Sequence, residues 1–169
     1  MDLKLEEKVV LVTGGARGLG RATCLRFATE GARVVIHYHR SGDEAEALRE
    51  EIESRLGAEA LAVEGDVSSE SDIAGLFDRA EGRFGRVDVL VNNAGVCPPV
   101  LLKDMSMDAW TGTIAANLTG TFLASREMVR RLLASTRPGR ILNVVGEPVD
   151  EGGPEALVRG GGLAQVVGL

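Results

Sequence analysis

The chain has 169 residues, 44% hydrophobic and 26% charged, which suits one ordinary globular domain that buries a core without crosslinks. A formal net charge of −6 argues against nucleic acid or an anionic membrane as partner. No apolar run approaches the ~20 residues that span a bilayer, and the first residues carry no apolar signal core, so a cytoplasmic location is expected. Cys24 and Cys97 lie far apart and form no CxxC, so each is expected to be a small buried hydrophobe rather than part of a disulfide framework or zinc knuckle.

Residues 8–13 (KVVLVT) form a short apolar, β-branched run, suited to a strand buried on both faces of a parallel sheet. The run breaks into Gly14-Gly15, passes Gly18 and Gly20, and turns helical over about 19–30, with Leu19, Ala22, Leu25 and Ala28 on one face and Gly31 at its end. A strand, a glycine turn and a helix opening can hold a nucleotide pyrophosphate, because glycine lets the phosphate approach and the helix N-terminus offers free N–H groups. A glycine turn that binds nothing is the plain alternative.

Residues 33–38 (RVVIHY) read as a second strand. Ser41-x-x-Glu44 has the form of a capping box, followed by Ala45, Leu48, Ile52 and Leu56 at helical spacing before Gly57. Residues 60–64 give a third strand. Ser69-x-x-Asp72 opens a helix with Ile73, Leu76, Phe77, Ala80 and Phe84 on its face and Gly85 after it. A fourth strand over 87–91 ends in Asn92-Asn93-Ala94-Gly95, a long helix follows over about 106–135, and the Pro138-Gly139 turn leads into a fifth strand over 140–145. Beyond it, residues 146–169 hold seven glycines in 24 residues, with helical patterning only over 163–169. Residues 1–145 are therefore expected to form the domain, with 146–169 a divergent Gly-rich tail.

Strands alternating with helices predict an α/β fold, a doubly wound parallel sheet of five strands in the order 3-2-1-4-5 with helices on both faces. Ligands of such sheets sit at the carboxyl ends of the strands, where the glycine turn, Asp66 and the loop 92–95 all fall. A site for NAD calls for an acidic residue about 20 positions past the glycine turn. Tyr38 stands there instead, with Arg40 two residues on and Arg17 inside the turn. Two guanidinium groups suit a 2′-phosphate, which favours NADP(H) over NAD(H), unless both arginines are simply solvated surface residues. His37 and His39 share a strand face, but no third ligand is spaced nearby, so they read as polar residues of the strand end rather than a metal pair.

Four motifs then carry a resemblance: TGGARGLG at 13–20, Asp66-Val67 after the third strand, NNAG at 92–95, and Asn117 within AANLTGTF. Over about residues 8–145 the chain resembles the short-chain dehydrogenase/reductase family, in particular its ketoacyl-reductase-like members. The resemblance implies a Rossmann-type fold that binds a nicotinamide dinucleotide and transfers hydride between it and a small-molecule carbonyl or alcohol. It places cofactor contacts at Gly14, Arg17, Gly18, Leu19, Gly20, Tyr38, Arg40, Asp66, Val67, Asn93, Ala94 and Gly95. Asp66 would meet the adenine amino group, the alternative being an aspartate held by the dipole of the next helix. Asn92 and Ala94 match the loop that stabilises the sheet centre and lines the cofactor. Asn117 would be catalytic, kinking the long helix and holding a water of the proton relay; a core asparagine that is merely hydrogen-bonded is the alternative.

The chain departs from the family at its end. Family chemistry needs a serine after the fifth strand and a Tyr-x-x-x-Lys pair on the next helix. Gly146, Arg159 and Leu163 stand at those places, the sole tyrosine is Tyr38, and the only lysines are Lys4, Lys8 and Lys103. Weak or absent catalysis is therefore expected. A non-catalytic NADP(H)-binding module and a truncated or frame-shifted fragment are the alternatives, and Glu147, Asp150 and Glu151 are the only visible substitute acids. The chain also stops before the family's later strands. The fifth strand then becomes an edge and the long helix bares an apolar face, so self-association or a homo-oligomer is expected.

Overall fold

All four residues of β1 (Val9–Val12) are buried, because alternate side chains leave the strand on opposite faces and helices cover both. The structure is a computed structural model and describes residues 3–135 and 137–145. Five parallel strands make one sheet in the order β3-β2-β1-β4-β5, with β2 at Arg33–Tyr38, β3 at Ala60–Glu64, β4 at Val89–Asn92 and β5 at Arg140–Asn143. The reversal of strand order between β1 and β4 opens the crevice predicted from sequence. The second and third strands have the expected bounds, whereas β4 and β5 fall short of the apolar runs 87–91 and 140–145. Val87 is buried ahead of β4, and Val144 still donates its N–H to Asn92 O at 2.9 Å.

Val10, Val12, Val34 and Ile36 pack on one face with Cys24 and Ala28 of α1 (Gly18–Thr29) and Ala45 and Leu48 of α2 (Gly42–Glu51). On the other face Val9, Leu11, Val35 and Leu90 meet Ile73, Leu76 and Phe77 of α3 (Glu70–Phe84) together with Leu123, Ala124 and Met128 of α5 (Gly120–Ser135). The two helical starts expected from sequence turn out differently. Ser69 caps α3, accepting from Asp72 N at 3.3 Å and donating to Asp72 Oδ1 at 2.9 Å. Ser41 stands at the N-cap of α2 but makes no capping bond, because its backbone (φ −104°, ψ 55°) is not the extended conformation that aims a cap side chain at the helix amides.

The long helix is not uniform. An α-helical piece, α4 (Met107–Ile114), passes into a π-helical turn over Ala115–Thr119 before α5 begins. Ile52–Leu56 continues α2 in the same way. Cys24 is the buried hydrophobe expected, and burial pushes its thiol up to about 12. Cys97 is not buried, because it follows the NNAG loop at the open mouth of the crevice. The expected tail over 146–169, with its terminal helix, lies outside the described residues. Among the described residues no helix is long and apolar enough to cross a membrane.

Candidate functional site

A cleft of about 990 Å³ runs along the carboxyl ends of β1, β2, β3 and β4. It is lined by every residue singled out from sequence for cofactor contact: Gly14, Arg17, Gly18, Leu19, Gly20, Tyr38, Arg40, Asp66, Val67, Asn93, Ala94 and Gly95. Asn117 is not on that lining, although its neighbours Ala115 and Ala116 are.

The turn from β1 to α1 explains why glycines recur there. Gly14 and Gly18 have φ of +62° and +53°, which side-chain-bearing residues rarely adopt. A Cβ on Gly20 would lie 2.2 Å from Gly14 O and 2.6 Å from Asn93 Nδ2. The N-cap of α1, Arg17, makes no side-chain capping bond, so the first turn offers unshared N–H groups and the positive end of its dipole to the cleft.

Thr13 and Asn93 lock this turn to the loop after β4. Thr13 Oγ1 accepts from Asn93 N and Ala94 N, both at 3.0 Å, while Asn93 Nδ2 donates to Thr13 O and Gly14 O, also at 3.0 Å. Asn93 thus faces the cleft yet holds the glycine turn with its amide. Asn92 is 5% exposed and donates to Ser125 Oγ and Asn143 Oδ1, each at 2.9 Å, joining β4 to α5 and β5 at the sheet centre. Its Oδ1 is buried and has no partner among the described residues.

At the far end, Asp66 Oδ1 accepts from Ser68 N at 2.8 Å and Ser68 Oγ at 2.7 Å, which holds its carboxyl below the usual range and keeps it an acceptor. Asp66 N donates to Asp72 Oδ2 at 2.9 Å, so α3 fixes this corner through its first turn. Val67 packs at the start of α5, where a Cβ on Gly120 would come within 2.8 Å of it. Arg17 and Arg40 are both exposed on the lining, and Arg17 lies 3.9 Å from Glu44.

Asn117 sits in the π-helical turn, and both ends of its amide reach the backbone of Val96: Oδ1 accepts from Val96 N at 2.8 Å and Nδ2 donates to Val96 O at 2.9 Å. Its side chain therefore clamps the long helix to the loop after Gly95, while its own carbonyl accepts from Thr121 Oγ1 at 2.8 Å.

His37 is more than the polar strand-end residue that the sequence suggested. It is 2% exposed, and each ring nitrogen has a backbone partner, Gly14 N at 3.1 Å and Gly65 O at 3.0 Å. A lone polar residue in the otherwise apolar run VVIHY was the signal available. Thr13, Asp72 and Val96 were likewise not singled out for the site. Gly146, Glu147, Asp150, Glu151, Arg159 and Leu163, which bear on the proton-transfer group, lie outside the described residues.

These features fit a dinucleotide: a helix N-terminus without a side-chain cap, a glycine turn packed too closely at Gly20 to admit a Cβ, and a carboxylate at the far end. A sequence profile described as short chain dehydrogenase matches residues 8–156. The chain is 37% identical over 165 residues to a 3-oxoacyl-[acyl-carrier-protein] reductase of Synechocystis, covering 98% of this chain and 66% of that protein. Its fold is similar to that of a Bacillus anthracis short chain dehydrogenase, with a TM-score of 0.80 and 34% identity over 92% of this chain and 65% of the other. A short-chain dehydrogenase/reductase mutant from Serratia marcescens gives a TM-score of 0.77 at 33% identity, over 92% and 62%. The chain thus spans just under two thirds of the length of these relatives. By sequence and by fold, the chain belongs to the short-chain dehydrogenase/reductase family.

Proposed function

We propose that this chain binds a nicotinamide dinucleotide along the cleft, NADP(H) in preference to NAD(H), as the cofactor half of an oxidoreductase site. The observation that carries the reading is the N-terminus of α1, which has no side-chain cap and is packed at Gly20 too closely against Gly14 O to admit a Cβ. The Gly18, Leu19 and Gly20 amides would receive the pyrophosphate. Arg17 and Arg40 would take the 2′-phosphate through charge-assisted bonds. Asp66, kept ionised by Ser68, would accept from the adenine amino group, with Tyr38 and Val67 beside it. The loop 93–95, tied to Thr13, would wall the remainder.

Bound there, the cofactor supplies hydride chemistry between a carbonyl and an alcohol, the substrate class we propose. Asn117 enters this reading by holding Val96 and with it the wall of the cleft. The proton step is another matter. Tyr38, the only tyrosine, stands at the adenosine end of the cleft, and Lys103 pairs with its neighbour Asp104 at 2.8 Å. We therefore expect turnover by this chain to be weak or absent. For the apolar residues bared along α4 and α5 we propose a second copy of this chain as the partner.

Calorimetric titration with NADPH and NADH, followed by NADPH oxidation in the presence of a small ketone and of an acyl thioester, tests the reading. Micromolar NADPH binding, weaker NADH binding and slow or undetectable oxidation are expected. Failure to bind either nucleotide overturns the site, and rapid oxidation overturns the expectation of weak catalysis.

A further inference from the structure

The imidazole of His37 lies in the floor of the cleft between two loops that belong to different strands. On one side is Gly14, whose N–H donates to Nδ1 at 3.1 Å. On the other is Gly65, whose carbonyl lies 3.0 Å from Nε2 and can only accept. An N–H donor on one nitrogen and a carbonyl on the other leave one arrangement that satisfies both, a neutral ring with its proton on Nε2. The backbone of the same residue adds a third tie, Gly15 N to His37 O at 2.8 Å.

Each partner continues into a different end of the cleft. Gly14 holds φ +62° and its carbonyl accepts from Asn93 Nδ2, so the orientation of its peptide sets the approach of Gly20 and the start of α1. Gly65 is buried, donates its N–H to Tyr38 O at 3.0 Å, and is followed directly by Asp66. The rest of β2 at this depth is Val34, Val35 and Ile36, all fully buried, and an aliphatic residue at position 37 would leave the Gly14 N–H and the Gly65 carbonyl without their partner. Packing alone gives no reason for a polar ring here, whereas positioning the two loops does.

We infer that His37, as the neutral Nε2–H tautomer, is a positioning residue for the cofactor, tying the phosphate-binding turn at Gly14 to the adenine corner at Gly65 so that one ring sets the distance between the two ends of the cleft. The inference rests on the dinucleotide reading above and adds to it a residue that acts through Gly14 and Gly65.

Three variants and one spectrum test it. His37→Leu removes both bonds at similar volume. His37→Asn keeps an acceptor at the reach of Nδ1, and His37→Gln keeps a donor at the reach of Nε2. NADPH affinity is expected to fall at least tenfold in His37→Leu and to recover in His37→Asn but not in His37→Gln, because the Gly14 bond orients the phosphate turn. A merely structural histidine would lower the unfolding midpoint in all three variants without ordering their affinities, and that result overturns the inference. If His37→Leu does not fold, the Asn and Gln variants decide by the same order. Nitrogen-15 NMR of the cofactor-free chain is expected to show Nε2 protonated and Nδ1 not; the opposite tautomer contradicts the proposed bridge. If the parent chain binds no dinucleotide, the reading of the cleft fails first; if the parent binds and His37→Leu binds equally well, only the role of His37 fails.

Discussion

A hydrogen is all that Gly20 can carry. With its Cβ position 2.2 Å from a backbone oxygen, Gly20→Ala must displace the turn itself. A loss of about 1–3 kcal/mol is expected, with cofactor binding lost as well; chemical denaturation and titration of the variant check both. His37 gives a second, pH-dependent signature. Burial lowers its pKa from 6.5 to about 4, with Gly65 O and Asp66 working against that shift and His39 and Arg79 adding to it. The unfolded chain therefore takes up a proton that the folded chain refuses. Stability from this group is complete above pH 6.5 and falls as pH drops toward 4, by about 1.4 kcal/mol per pH unit. His37→Asn is expected to flatten that slope between pH 6.5 and 4 in urea unfolding measured across pH. The carboxyls of Asp66 and Asp72 are shifted below 3.8 and titrate under this window. The places of Gly14, Gly20 and Asp66 on the cleft were legible in the sequence because each falls just past the carboxyl end of a strand. The role of His37 was not, because its partners lie 23 and 28 residues away and only strand order brings them together.

The π-helical turn at Ala115–Thr119 shows how an element can be read correctly and still conceal its purpose. Helical spacing announces one helix over 106–135, and the chain does stay helical through it. The widened turn presents Asn117 to the backbone of Val96, a contact spanning 21 residues that no periodicity encodes. Val96 is 49% exposed, so water can replace the lost partners. Asn117→Ala is therefore expected to cost only about 0.5–1.5 kcal/mol of stability, while weakening cofactor affinity as the loop after Gly95 loosens. Equal effects on stability and affinity, or none on affinity, would contradict the clamp. The two serines at helix starts make the same point. Ser69 and Ser41 look alike in sequence, and only Ser69 caps, because capping depends on a backbone angle set by what precedes the helix.

Strand order was the most legible feature of the molecule, since β-α alternation with right-handed crossovers leaves few arrangements once the glycine turn fixes the first strand. Surface behaviour was readable only in outline. Phe122, Val129 and Leu133 stand on one stripe of α5 with exposures of 55%, 44% and 74%, with Arg126 stacked 5.2 Å from the Phe122 ring. Light scattering is expected to report a mass above the monomer, and Leu133→Glu to shift it downward; a monodisperse monomer in the parent chain would contradict the proposed second copy. The most direct test of the whole account is an amide NMR titration with NADPH. It predicts saturable shifts at Gly18, Leu19, Gly20, Asp66 and Gly95, with Lys103 and Ser135 unmoved. Shifts confined to other regions, or none at millimolar nucleotide, would contradict the assignment of the cleft.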